Sequence, residues 1–311
     1  MSALATLRAA PGLDSYLEVL ELRLEQAVAS HPGVVGAIGR DTLTAGGKRL
    51  RPVLVYLATP PDARRGERPL AAGAAVELVH MATLVHDDLL DGAALRRGRP
   101  TAWAAHGESS AKAAGDHLFA RAFAELTRTE DPAAVSTLAG AALALARGEA
   151  LQRRQAFRPD TTVEAYLARC ALKTGKLFEA ACVLGGGRPE LGEFGLALGI
   201  AFQIADDILD CTGTSLETGK VTGVDLRDGT PTLPLILAAR VDRRVWRALA
   251  GAGRRSASTV EILRLVERTG ALEGARALAR EYARRALAAL DGEPDRESLE
   301  ALTHAVVERE R

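Results

Sequence analysis

LVHDDLLDG, residues 84–92, places Asp87, Asp88 and Asp91 directly after the apolar run Met81-Ala82-Thr83-Leu84-Val85. Aspartate is a poor helix former, and like charges three or four residues apart on a helix repel. A second stretch, QIADDILDC at residues 203–211, repeats the arrangement with Asp206, Asp207 and Asp210. An arrangement that weakens a helix and occurs twice calls for a compensating partner. On a helix, Asp87 and Asp91 lie one turn apart on the same face, with Asp88 beside them. Carboxylates presented this way suit Mg2+, a hard cation that keeps several waters and is completed by substrate phosphates. The 119 residues from Asp87 to Asp206 are compatible with two helices on opposite walls of one cavity, sharing several ions over one diphosphate.

Other metal readings fail on spacing. A calcium-binding EF-hand loop wants oxygen ligands at alternate positions, a glycine at the sixth and a glutamate at the twelfth. Counted from Asp87, the third position is Leu89 and the twelfth Gly98; counted from Asp206, the third is Ile208 and the sixth Cys211. No set of His and Cys has zinc-ligand spacing.

Working outward, helical patterns fill the chain. Leu13, Leu17, Leu20, Leu24 and Val28 recur at helical spacing. A long apolar helix is expected from about Leu70 into the first aspartates, followed by a loop at residues 96–101. Helices are expected near 107–127, 132–156, 162–184, 189–211, 234–250, 258–269, 271–290 and 295–309. Residues 59–69 read as a loop, and TGTSLETGKVTGVDLRDGTPTLP at 212–234 as a long one, of the kind that carries function. No strand-like alternation stands out. Alanine and leucine dominate, and aromatic residues make up only 4%, which favours helix over sheet. The reading is all-α, one large helical bundle spanning residues 1–311.

Among the 311 residues, 40 Lys and Arg balance 40 Asp and Glu. No global field points to nucleic acid, so partners are sought in local patches. Cys170, Cys182 and Cys211 form no CxxC and read as reduced core thiols of a cytoplasmic protein. The N-terminal residues lack a signal-peptide pattern, and no uninterrupted apolar run reaches membrane-spanning length.

Basic stretches accompany the aspartates. GGKRLRP at 46–52 offers Lys48, Arg49 and Arg51 after a glycine pair, and LRRGRP at 95–100 offers Arg96, Arg97 and Arg99. Lysine supplies point charge and arginine a bidentate fork, both suited to phosphate oxygens. Each stretch alone reads as solvated surface; beside metal-type carboxylates they suggest a second anionic group. Lys173-Thr174 sits in an apolar helix, Gln203 lies one turn before Asp206, and Lys220 falls in the long loop. His80, on the first apolar helix, reads alone as a core histidine.

In combination and order, GGKRLRP, DDLLDGAALRRGRPT, KTG, FQIADDILD and GK…GVDL…TLP closely resemble the trans-isoprenyl diphosphate synthases, over about residues 40–240. The resemblance implies a helical bundle around a central cavity, of the isoprenoid synthase type, that dimerises. It also implies Mg2+-dependent transfer of a prenyl group, with three ions per site. Carried over by residue, Asp87, Asp91 and Asp206 would hold Mg2+ on the allylic diphosphate, with Asp88, Asp207 and Asp210 acting through water. Arg96, Lys173, Thr174, Gln203 and Lys220 would contact the allylic substrate, and Lys48, Arg51, His80 and Arg97 would hold isopentenyl diphosphate. Many relatives carry a second lysine in the long loop where this chain has Thr230, which removes one expected diphosphate contact.

Ala82, Val79 and Val76 precede Asp87 by five, eight and eleven residues and fall on one stripe. In the family resembled, a bulky aromatic at the position of Ala82 stops chain growth early. A small residue there implies a product of twenty or more carbons. Three rival readings carry weight. A class I terpene cyclase shares the ionising chemistry but needs no second diphosphate site. An HD-type phosphohydrolase, prompted by His86-Asp87, needs a histidine set that the six present do not form. A non-catalytic subunit of a heteromeric synthase has no use for two intact aspartate clusters.

Overall fold

The computed structural model describes residues 10–96, 98–186, 189–212, 223–251, 258–293 and 295–307. These are almost entirely helical. The chain divides into two compact units, one comprising Met1–Ala142, Leu177–Gly192 and Gly292–Leu299, the other Leu143–Lys176, Glu193–Asp291 and Glu300–Arg311.

In the first unit, helices α1 (Leu13–Ala29), α2 (Val34–Thr44), α3 (Leu50–Ala58) and α4 (Glu67–Leu90) precede a two-stranded ladder, β1 (Leu95–Arg96) and β2 (Arg99–Pro100). Helices α5 (Ala102–His106) and α6 (Glu108–Thr127) follow, and α7 (Pro132–Gln155) begins in this unit. α4 packs along α6. Small side chains permit this: Ala71, Ala72, Ala74 and Ala75 on α4 and Ala111, Ala114 and Ala122 on α6 are all buried. Close approach trades side-chain volume for backbone proximity, while Leu78, Leu118 and Leu126 fill the remaining space. Tyr16 on α1 pins the start of α4 by donating to the carbonyl oxygen of Pro69 at 3.1 Å. α4 is long and apolar enough to cross a membrane, yet 78% of its most apolar window is buried within the protein. It is therefore a core helix. α7 passes the same test with 33% buried.

In the second unit, α8 (Val163–Cys170) runs into a single π-helical turn at Ala171–Gly175; the chain continues as α9 (Lys176–Leu184), which from Leu177 belongs to the first unit. α10 (Pro189–Thr212), α11 (Val224–Asp228), α12 (Leu233–Val241), α13 (Arg243–Leu249), α14 (Thr259–Arg268), α15 (Ala271–Ala288) and α16 (Arg296–Val307) complete the chain. The core gathers Tyr166, Ile200, Ile204 and Ile208 with Leu235, Ile236, Val245, Leu249, Val266 and Leu272. α14 opens on a capping box: Ser258 Oγ accepts from the Glu261 N–H at 3.2 Å, and Glu261 Oε2 accepts from the Ser258 N–H at 2.9 Å. The three cysteines are free and buried, as expected of core thiols.

The helical expectation holds with local corrections. α2 was not singled out in the sequence, because its glycines blur the periodicity. Residues 96–101 are not simply a loop: Leu95 pairs with Pro100 and Arg96 with Arg99 in antiparallel register. The expected helix at 162–184 carries the π turn, and that at 234–250 breaks at Asp242, whose Oδ1 caps α13 by accepting from the Arg244 N–H at 2.8 Å. The long loop contains α11.

Candidate active site

In the first unit, α4 ends at Leu90, so the first acidic cluster straddles a helix terminus. Asp91 is the C-cap, its N–H donating to the Asp87 carbonyl at 2.8 Å. The chain then turns into the β ladder, held by Thr101 Oγ1 at 2.7 Å and Trp103 Nε1 at 2.9 Å, both donating to the Ala93 carbonyl. That hairpin swings Arg96 back onto Asp88. Arg96 Nε lies 2.8 and 2.9 Å from the two Asp88 oxygens, and Nη2 is 2.8 Å from Oδ1. Burial raises the Asp88 carboxyl above its ordinary range, against the opposing pull of Arg96. Asp87 is half-buried and Asp91 exposed. Arg97 lies outside the described residues.

Lys48 is exposed and Arg51 half-buried. The Arg51 guanidinium stacks 4.8 Å from the centroid of the Phe178 ring, a cation–π contact that fixes its plane. His80 is half-buried on α4, two turns before Asp87. Ala82, Val79 and Val76 are all fully buried.

In the second unit, Lys173 and Thr174 sit on the π turn. Such turns insert one extra residue, re-aim side chains, and are frequent at functional sites. Lys173 Nζ donates to Glu149 Oε2 at 2.5 Å and to Gln152 Oε1 at 3.3 Å. Burial acts to raise the Glu149 carboxyl, but Lys173 and Arg153 outweigh it and hold the group below its ordinary range. Close approach requires glycine at 148: a Cβ there would come within 2.6 Å of the Lys173 backbone nitrogen.

The second acidic cluster lies on α10. Asp207 is 5% exposed, and both its oxygens accept hydrogen bonds, from Tyr166 Oη at 2.6 Å and Gln203 Nε2 at 2.8 Å. Thr174 Oγ1 in turn donates to Gln203 Oε1 at 2.7 Å, fixing the amide. Burial pushes Asp207 up to about 7 despite those donors. Asp210 accepts from the N–H groups of Val224 at 3.2 Å and Asp225 at 3.1 Å, which ties α11 to the end of α10. Burial raises Asp210, and burial with the like charges of Asp210, Asp207 and Asp206 raises Asp225 well above its ordinary range. Asp206 is half-buried. Arg169 is buried beneath, donating to Gln155 Oε1 at 2.6 Å and to the Pro231 carbonyl at 2.8 Å. Thr230 is buried next to that anchor. Lys220 lies outside the described residues.

Of the six aspartates, Asp88 and Asp207 are buried, Asp87, Asp206 and Asp210 half-buried and Asp91 exposed. Among the described residues no three His, Cys, Asp or Glu side chains form a ready-made metal cage. Sequence reasoning did not single out Glu149, Tyr166, Arg169 or Asp225. The available signals were Glu149 on an Ala/Leu helix and the GVDL segment.

The polyprenyl synthetase family model matches residues 33–267. The heptaprenyl diphosphate synthase component 2 of Geobacillus stearothermophilus is 41% identical over 92% of this chain and 92% of its own length. The octaprenyl diphosphate synthase of Escherichia coli is 35% identical over 89% of this chain and 91% of its own. A crystal structure of polyprenyl synthase from Caulobacter crescentus, complexed with calcium and isoprenyl diphosphate, superposes with a TM-score of 0.90 at 35% identity, covering 100% of this chain and 98% of that one.

Proposed function

We propose, from the premise that the chain belongs to the polyprenyl synthetase family and is a prenyltransferase that elongates trans-prenyl chains, that it joins isopentenyl diphosphate head-to-tail (1'-4) to an allylic prenyl diphosphate. The product is an all-trans polyprenyl diphosphate of twenty or more carbons, and diphosphate is released. The observation that carries this reading is that the matched span, residues 33–267, contains every residue assigned a role, from Lys48 to Lys220.

In this reading Asp87, Asp91 and Asp206 would hold Mg2+ for the allylic diphosphate, and the ion would supply stabilisation of the charge developing on the departing diphosphate. Lys173 and Lys220 add positive charge to that leaving group, and cationic groups in a dry site act with little reorganisation. Arg96 and Gln203 orient the allylic substrate, and Thr174 holds the Gln203 amide. Lys48, Arg51, His80 and Arg97 hold isopentenyl diphosphate. The allylic C1–O bond breaks, the double bond of isopentenyl diphosphate attacks the allylic cation, and a proton from the new chain passes to the released diphosphate. No side-chain base is required.

Ala82, Val79 and Val76 set how far the product grows, and the names of the heptaprenyl and octaprenyl relatives support a long one. The enzyme is a single cytoplasmic domain that acts as a homodimer. α7 supports the dimer: Ser136, Ala139, Gly140, Leu143, Ala146 and Ala150 are exposed along one face, a stripe suited to a second helix.

The test is product analysis of the purified chain with radiolabelled isopentenyl diphosphate, Mg2+ and primers of increasing length. Elongation by the chain alone supports the reading. Consumption of allylic diphosphate without isopentenyl diphosphate indicates a cyclase. One observation favours a second reading: the Geobacillus relative is named as component 2 of its enzyme. No turnover without a second, different subunit would support that reading.

A further inference from the structure

Within the segment GGKRLRP, the guanidinium of Arg49 is turned onto two carboxylates, Glu21 and Glu77. Arg49 is the N-cap of α3 and has φ 48° and ψ 36°, a left-handed backbone that is strained for any residue with a Cβ. A non-glycine residue keeps such a conformation only when its surroundings hold it there. Here the guanidinium does the holding. Nε donates to Glu21 Oε1 at 2.6 Å, Nη1 to Glu77 Oε1 at 2.9 Å, and Nη2 to Glu21 Oε2 at 3.2 Å and the Leu43 carbonyl at 3.3 Å. Glu77 is 3% exposed, deep on α4. A buried carboxylate is retained only where it is paired and hydrogen-bonded, so Glu77 and Arg49 require one another.

The pair joins two segments that carry residues assigned to isopentenyl diphosphate. Glu77 lies one helical turn before His80 on α4, and Arg49 lies between Lys48 and Arg51. Turning Arg49 inward leaves its neighbour Lys48 exposed, and α3 carries Arg51 from a fixed start. Gly47 completes the fit, because a Cβ there would sit 3.0 Å from Arg49 Nη1 and 3.9 Å from Glu77 Oε1.

We infer that Glu77 and Arg49 are positioning residues for isopentenyl diphosphate: their buried ion pair sets the left-handed turn that aligns Lys48 and Arg51 with His80. The inference rests on the assignment of Lys48 and Arg51 to that substrate. Misplacing a binding group by about 1 Å can cost on the order of a hundredfold, and a loosened turn less.

The experiment measures KM for isopentenyl diphosphate and for the allylic primer separately, with thermal unfolding alongside, in Glu77→Gln, Gly47→Ala and Lys48→Ala. Glu77→Gln keeps the shape and removes the charge; Gly47→Ala crowds the guanidinium and leaves the charge. The inference expects both to raise KM for isopentenyl diphosphate by about tenfold while KM for the primer moves less than about twofold. If Glu77→Gln does not fold, Gly47→Ala decides alone. Equal rises in both KM values, or no rise in either, overturn the inference. Lys48→Ala separates the two levels. If it leaves KM for isopentenyl diphosphate unchanged, the substrate assignment fails; if it raises KM while the other two variants do not, only the positioning role fails.

Discussion

Glu149→Gln tests the second unit most directly, because one carboxylate there orients a lysine assigned to catalysis. The Lys173–Glu149 contact is 2.5 Å, with side chains 20% and 14% exposed. At an effective dielectric near 20, two unit charges at that distance attract by about 7 kcal/mol. Desolvation of both groups cancels most of this, and breaking a charge-assisted hydrogen bond of this kind costs about 2 kcal/mol net. Arg153 also touches Glu149 at 2.9 Å, but its side chain is 43% exposed, and exposed i,i+4 pairs contribute only about 0.4 kcal/mol. For a chain of this length, a loss of about 2 kcal/mol lowers Tm by roughly 3 °C.

The pH dependence of that loss has a definite sign. Lys173 and Arg153 depress the folded-state Glu149 carboxyl, so its stabilisation is fully present above the unfolded glutamate value of about 4.3. It is lost as pH falls through the lower folded value. The Tm gap between wild type and Glu149→Gln is therefore expected to stay constant from neutral pH to about pH 5.5 and to close below about pH 4. Calorimetry across that range, with the double variant Glu149→Gln/Lys173→Met to isolate the pair, is the assay. KM for the allylic primer is expected to rise in the single variant. No gap at neutral pH, or a gap that widens on acidification, refutes the reasoning.

Tyr166→Phe removes the donor to Asp207 from a fully buried site and is expected to cost about 2 kcal/mol in urea unfolding; an unchanged midpoint would show that the contact contributes nothing. Ala82→Phe crowds a fully buried position, with an expected stability loss of about 1–3 kcal/mol and a shorter product by chromatography. Unchanged product length sinks the floor assigned to that residue. Dialysis against a chelator is expected to abolish elongation and Mg2+ to restore it; full activity after chelation would remove the metal from the reading. A Cβ at Gly140 meets no atom within 4 Å, so Gly140→Trp is expected to leave Tm unchanged while shifting the sedimentation coefficient from dimer to monomer. A dimer that persists places the interface elsewhere.

The helices were legible because they follow from local spacing, whereas the roles proposed for the charged motifs come from the family resemblance. Apolar residues three and four apart mark the buried face of α1, a long apolar run marks α4, which is buried on all sides from Ala71 to Val79, and the paired aspartates stand out because they work against helix formation. The hairpin after Asp91 was not legible. Its strands are two residues each, and it depends on Trp103 and Thr101 reaching back to Ala93. The π turn at Ala171–Gly175 was hidden because it leaves the sequence pattern helical and shifts only the register. Glu149, Tyr166 and Arg169 were missed because each acts on a residue at least 14 positions away, beyond any periodicity.

Three motif cations share one physical arrangement, a carboxylate of their own unit that holds each in place. Lys173 is matched by Glu149, Arg96 by Asp88 and Arg49 by Glu77, each at 2.5–2.9 Å. Long cationic side chains hold considerable rotamer entropy, and freezing one costs up to about 2 kcal/mol. A carboxylate that already fixes the side chain moves that cost from substrate binding to folding, where burial of apolar surface offsets it. Each pairing also neutralises the cation locally within its own unit. Motif residues are then only half of the apparatus, and the other half is a set of carboxylates and a tyrosine whose positions are fixed by the helices behind them. Replacing a partner carboxylate should therefore raise KM more than it lowers kcat, whereas replacing a residue that touches the reacting diphosphate should lower kcat. The two classes of variant separate on that split alone.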